Sequence, residues 1–180
     1  MASTQRFGPA EGSLTLHTDV TGKAARTGHR LTIGFTDWTA TVDYTADQPS
    51  HVRVQVATGS LQVRSGEGGL TPLTAPERTV ARANAVKVLK AEKFPQIVFD
   101  ASEVVADGDG YRLTGRLEIC GKTRPHILSV APTGAGAART VAGQTVVSHA
   151  DFGLKPFGMM MGALRVADEA TVRLQIAVPE

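Results

Sequence analysis

The 180-residue chain is 42% hydrophobic and 20% charged, with 19 Gly and 9 Pro, the make-up of one turn-rich globular domain long enough to bury its own core. Its single cysteine, Cys120, excludes an internal disulfide framework and any multi-cysteine zinc or iron–sulfur site. Nineteen basic against seventeen acidic residues, +2 overall, is too balanced for a dedicated nucleic-acid binder, and no apolar run reaches the roughly 20 residues of a membrane span.

Residues 1–12 carry one early Arg6 but no apolar run of the signal-peptide kind. They read as an N-terminal tail on a single domain over 13–178, with a cytoplasmic location expected. Strands are then predicted at 14–18 and 29–35. Trp38, Ala40, Val42 and Tyr44 alternate with Thr39, Thr41 and Asp43, and Val52, Val54 and Val56 alternate with Arg53 and Gln55. That two-residue period places apolar side chains on one face of each of two strands, joined by a turn at 47–50. A strand at 61–64 leads into a Gly-rich stretch, 65–69, that reads as mobile. Thr74 stands three residues before Glu77, Pro76 lies near the first helical position, and Ala81, Ala85, Val88 and Leu89 recur at helical spacing. The pattern predicts one helix over 76–90. Lys87, Lys90 and Lys93 form a solvated face that complements the helix C-terminus, or alternatively a site for a phosphate-bearing head group.

Phe94 and Pro95 mark the helix exit, and the chain continues as a strand over 96–104. Asp107, Gly108, Asp109 and Gly110 suit a hairpin turn. Beyond it Tyr111, Leu113, Leu117 and Ile119 alternate with Arg112, Thr114, Arg116 and Glu118, with Gly115 breaking the apolar face where the strand bends. Strands at 126–131 and 140–149 flank a flexible connection at 132–138. The last strand is the clearest: Ala170, Val172, Leu174, Ile176 and Val178 alternate with Thr171, Arg173 and Gln175. Closely spaced antiparallel strands of this kind close into a barrel or stack as a sandwich, so the fold class is all-β.

Histidines at 17, 29, 51, 126 and 149 lack the spacing that puts two metal ligands on one helix face, so no metal site is read, and no nucleotide-binding loop or nucleophile elbow implies a cofactor. His149 and Asp151 could share a strand face. Gly158, Met159, Met160, Met161 and Gly162 form an adaptable apolar tract, either a ligand-facing loop or a loop folded over a barrel end. Lys155-Pro156 interrupts strand pairing, which makes 152–164 a candidate movable wall. Cys120 reads as a small structural hydrophobe.

Several motifs coincide in order along nearly the whole chain: Gly28-His29-Arg30-Leu31 before the Trp38 strand, Phe94-Pro95-Gln96-Ile97-Val98-Phe99 after the helix, Gly121-Lys122-Thr123-Arg124-Pro125, and Asp151-Phe152-Gly153-Leu154. Together they resemble the YceI-like family of lipid-binding proteins. The resemblance implies an extended antiparallel, lipocalin-like β-barrel of about eight strands with one helix at its end. It also implies non-catalytic binding or carriage of a polyisoprenoid, quinone or similar amphiphile in an apolar interior. The candidate ligand-binding residues are Trp38, Val42, Phe99, Leu113, Leu117, Phe152, Phe157, Met159, Met160, Met161, Leu174 and Ile176; for Leu113, Leu117, Leu174 and Ile176 core packing is the competing role. The expected partner is an isoprenoid-like lipid or quinone, and a homodimer is admitted. Cys120 departs from the family, which commonly has His before the Gly of Gly-x-Thr-x-Pro. Two other readings stand beside this one. The first is a small barrel isomerase or hydrolase using His29, His126 or His149 with Asp151 at the mouth; the second is a protein-interaction module with a filled barrel.

Overall fold

The computed structural model describes residues 1–178. In chain order these form β1 (Ala2–Phe7), β2 (Gly12–His17), β3 (Val20–Thr21), β4 (His29–Phe35), β5 (Trp38–Thr45), β6 (Gln48–Ala57) and β7 (Leu61–Gly68). Next come α1 (Ala75–Val88), β8 (Gln96–Asp107), β9 (Gly110–Ile119), β10 (Lys122–Thr133), β11 (Thr140–Ser148), β12 (Gly158–Met159), β13 (Leu164–Val166) and β14 (Glu169–Ala177). The fold is all-β with one helix. Eleven strands form a single curled sheet in the order β1-β5-β6-β8-β9-β10-β11-β14-β2-β4-β7, and β12, β13 and β3 form a separate small sheet.

The covalent order returns the large sheet on itself. Only Thr36 and Asp37 separate β4 from β5, and only residues 58–60 separate β6 from β7. Antiparallel pairing of β5 with β6 and of β4 with β7 makes these two bent strands one long hairpin. Hydrogen bonds from Thr36 N–H to the Ser60 carbonyl (3.3 Å) and from Ala57 N–H to the Asp37 carbonyl (3.0 Å) carry the pairing around the corner. Counting each bent strand once, the ring runs β4/β5, β6/β7, β8, β9, β10, β11, β14 and β2, which is eight strands, with β1 added outside β5. Closure removes most of the unpaired edge that an open sheet would expose.

Alternation builds the interior. Val52, Val54 and Val56 on β6, Leu113, Leu117 and Ile119 on β9 and Ile176 on β14 are buried in one cluster with Trp38, Phe99, Leu128 and Phe152. At Gly115, opposite the bulge between Asp100 and Glu103, a Cβ would lie 2.0 Å from the Asp100 carbonyl oxygen, so only glycine lets β8 and β9 approach at the bend. The helix caps one barrel end. Thr74 and Glu77 form a reciprocal capping box, with Thr74 N–H donating to Glu77 Oε2 at 2.7 Å. Ala81, Ala85, Val86 and Leu89 pack on Ile33, Leu61 and Val63, while Arg82 donates to the Leu61 and Gly59 carbonyls at 2.9 and 2.8 Å.

Three sequence expectations differ from the structure. Residues 2–7 are not a free tail: they pair along β5 from Ala2↔Thr45 to Phe7↔Ala40. An edge strand exposed on nearly all its length needs no apolar alternation to form, so the polar stretch gave no strand signal. The Gly-rich stretch at 65–69 lies mostly inside β7, paired with β4, and a Cβ at Gly66 would meet the Leu73 side-chain end at 2.8 Å. The turn after β5 is Ala46-Asp47, both at positive φ, and Gln48 and Pro49 already belong to β6. Among the described residues no helix is long and apolar enough to cross a membrane.

Candidate ligand cavity

Inside the barrel lies a cavity of 160 Å³ walled by β2, β6, β8, β9, β10, β11 and β14. Phe99, Leu117, Ile119, Leu128, Val172 and Leu174 are typical of its lining, and His126, Thr145, Ser148 and His149 are its polar members. A second cavity of 510 Å³ lies between α1, β4 and the small sheet, lined among others by Leu73, Val80, Ala85, Val88, Phe157 and Met159. Leu16, Leu89, His149 and Ala170 face both. The two spaces therefore adjoin at one apolar junction with a single imidazole in its wall.

The polar groups are held in defined states. His126 Nε2 pairs with Thr145 Oγ1 at 2.9 Å, and its ring meets Phe99 edge-on at 5.9 Å between centroids. Burial disfavours its charged form and holds its pKa below the usual histidine value. His149 directs both its backbone N–H and Nδ1 at the Asp168 carbonyl, at 2.9 and 2.6 Å. A carbonyl only accepts, so Nδ1 carries a proton. At the outer cavity, His29 Nε2 donates to the Thr71 carbonyl at 2.7 Å.

The sequence-predicted site residues divide into four groups. Phe99, Leu117 and Leu174 line the inner cavity, and Phe157 and Met159 line the outer one. Trp38, Leu113, Phe152 and Ile176 are buried in packed core away from either cavity, and Val42 packs partly buried against that core. The Trp38 indole N–H has no hydrogen-bond partner among the described residues. Met160 and Met161 point out of the molecule. Sequence reasoning missed Leu14, Leu16, Val54, Val56, Ile119 and Leu128 as cavity residues, although the same strand alternation marks them as inward. His126 and His149 do share the inner wall, and His29 lines the outer cavity. Each is engaged by a different group, and Asp151 is exposed while the acid beside His149 is Asp168, through its backbone. The arrangement suits enclosure of a long apolar chain with a few polar contacts better than paired acid–base chemistry.

The YceI-like domain family matches this chain over residues 7–178. The chain belongs to that family. Among solved YceI-like and related structures, the fold is similar to that of Burkholderia cenocepacia BcnA, with a TM-score of 0.64 at 17% identity over 92% of this chain and 96% of that one. It is likewise similar to the Campylobacter jejuni YceI protein, with a TM-score of 0.61 at 15% identity over 82% of this chain and 84% of that one. A UPF0312 protein of Yersinia pestis (strain Pestoides F) is 44% identical over 48 residues, 27% of this chain. The match spans a quarter of that relative's length.

Proposed function

We propose that the protein is a non-catalytic carrier of an isoprenoid-like amphiphile, a polyisoprenoid or quinone, whose tail fills the barrel interior and the outer cavity while its head lies at the outer cavity's mouth. The observation that carries this reading is the pair of adjoining apolar cavities meeting at Leu16, Leu89, His149 and Ala170. Membership of the YceI-like family, a family of binding proteins, supports it. Each CH₂ taken out of water contributes roughly 0.8 kcal/mol before ordering costs, so one five-carbon isoprene unit is worth about 4 kcal/mol gross.

Size sets the expected ligand. A dry cavity of about 150 Å³ admits a benzene-sized group. On that scale the inner cavity of 160 Å³ takes about one isoprene unit and the outer cavity of 510 Å³ about three more. Affinity for a series of prenols should rise steeply with length and level off near about four units, where the added chain no longer finds apolar wall. Isothermal titration of solubilised prenols of increasing length tests this, together with mass spectrometry of an organic extract of the purified protein against a similarly purified control. No enriched amphiphile in the extract, combined with affinity independent of prenol length, would refute the carrier reading.

A further inference from the structure

The outer cavity opens beside an exposed apolar tip. Val80, Phe157 and Met159 line the cavity yet remain exposed, and Met160 and Met161, which follow Met159 directly in the chain, are exposed as well, the latter fully solvent-accessible. The tip is held in place. Met160 and Met161 both adopt left-handed backbone, at φ of 52° and 55°, a conformation that costs a non-glycine residue and is found where the surroundings enforce it. Ala163 N–H closes the turn on the Met160 carbonyl at 3.1 Å, and Ala24 N–H ties the turn to the 25–27 helical turn through the Ala163 carbonyl at 2.8 Å. Two thioether side chains are thus presented to solvent at an energetic cost, with no packing gain from the protein itself.

Charge accompanies the apolar tip. The two segments that build it, 20–28 and 155–166, carry Lys23, Arg26, Lys155 and Arg165 and no acidic residue. Four positive charges in these two segments exceed the +2 of the whole chain, so the remainder of the protein is net acidic. All four cations are exposed, and none belongs to the ion pairs formed among the described residues. The nearest acids along the chain, Asp19 and Asp168, adjoin β3 and β13 at the end of the small sheet opposite the Met160–Met161 turn. Exposed unbranched apolar side chains on segments that also carry exposed, unpaired cations match the chemistry of an anionic bilayer surface: apolar at the acyl boundary, negative at the head groups.

We propose that this tip docks on the surface of an anionic lipid bilayer, with Met160 and Met161 entering the head-group region and Lys23, Arg26 and Arg165 meeting lipid phosphates. Docking there sets the mouth of the outer cavity against the membrane. The surface stands on its own residues and does not depend on what the cavity holds.

Co-sedimentation with vesicles of phosphatidylcholine, with and without phosphatidylglycerol, tests it. The wild-type protein should partition onto phosphatidylglycerol vesicles at low salt and be released at high salt, because screening shortens the reach of surface charge. Lys23→Ala combined with Arg26→Ala should lower the partition coefficient about 25-fold, at about fivefold per cation. Met160→Ser combined with Met161→Ser should lower it about tenfold or more. Both variants should keep the wild-type circular dichroism, since the replaced side chains are exposed. The Lys23/Arg26 variant should also bind detergent-solubilised prenol as the wild type does, so loss of docking is separable from loss of cargo binding. Wild-type protein that stays in the supernatant with phosphatidylglycerol vesicles overturns the proposal, as do variants that sediment like wild type. Analytical ultracentrifugation showing a vesicle-free dimer that the Met160/Met161 variant abolishes would assign the tip to a second copy of the chain instead.

Discussion

Leu113 and Leu117 lie four residues apart on one face of β9, both buried, at 4% and 7% exposure, and sequence alternation cannot tell them apart. The structure does. Leu113 belongs to the buried core cluster and lines neither cavity, whereas Leu117 of the same cluster borders the 160 Å³ cavity. Replacing either by Ala removes three carbons, worth about 2.4 kcal/mol in transfer free energy. At Leu113 the emptied volume adds a cavity term, which brings the expected loss to about 3–5 kcal/mol. At Leu117 part of the side chain already faces a void and has fewer packing partners to forfeit, so the loss should stay near about 2–3 kcal/mol.

Prenol binding should reverse the order of importance. A ligand at about 100 times its dissociation constant stabilises the fold by about 2.7 kcal/mol. Leu113→Ala should keep this increment, because no ligand contact is lost. Leu117→Ala removes wall from the ligand and should weaken affinity by about fivefold or more, reducing the increment accordingly. Urea unfolding of wild type and both variants, with and without solubilised prenol, measures all of these values. Equal destabilisation with equal loss of affinity would refute the division of β9 into core and cavity wall.

Two further outcomes concern pH. His126 has a folded pKa below its unfolded value, so its contribution to stability is present above about pH 6.5 and is lost as pH falls through the lower folded pKa. An apolar tail beside the ring deepens the desolvation, so prenol affinity should fall on acidification by up to about tenfold per pH unit, and His126→Phe should flatten that profile in a titration series. His51 behaves oppositely: hydrogen bonds with Asp100 and Asp43, at 2.8 and 3.3 Å, raise its pKa. Its stabilisation is full below the unfolded value and lost as pH rises through the folded one, so His51→Gln should lower the melting temperature in mild acid and scarcely at alkaline pH.

The parts of the fold that follow from local chemistry were legible in the sequence. The capping box at Thr74 and Glu77 located α1 within two residues of its start and end, and the alternation from Ala170 to Ile176 matched β14. Resemblance to YceI-like proteins supplied closure into a barrel, which no periodicity encodes. What escaped was structure supported by partners rather than by its own pattern. β1 is polar and exists because β5 offers an unpaired edge; β12 and β13 are two and three residues long and persist by pairing with each other and β3.

The cavity escaped for a related reason. A closed eight-strand ring is filled or hollow according to which side chains oppose one another across it, and that depends on register. Pairing of β11 with β14 sets Gly143 beside Leu174 and Val147 beside Ala170. Gly143, Thr145 and Ala170 give this part of the wall short side chains, and Leu117 and Ile119 from β9 border the same space without filling it. Leu113 and Ile176, buried in the same cluster, line neither cavity. The junction at Leu16, Leu89, His149 and Ala170 draws on β2, the exit of α1, the end of β11 and β14, so no sequence neighbourhood contains it. An inward apolar residue in such a barrel is thus core or ligand wall by virtue of its cross-barrel partners, a property the alternation of its own strand does not carry.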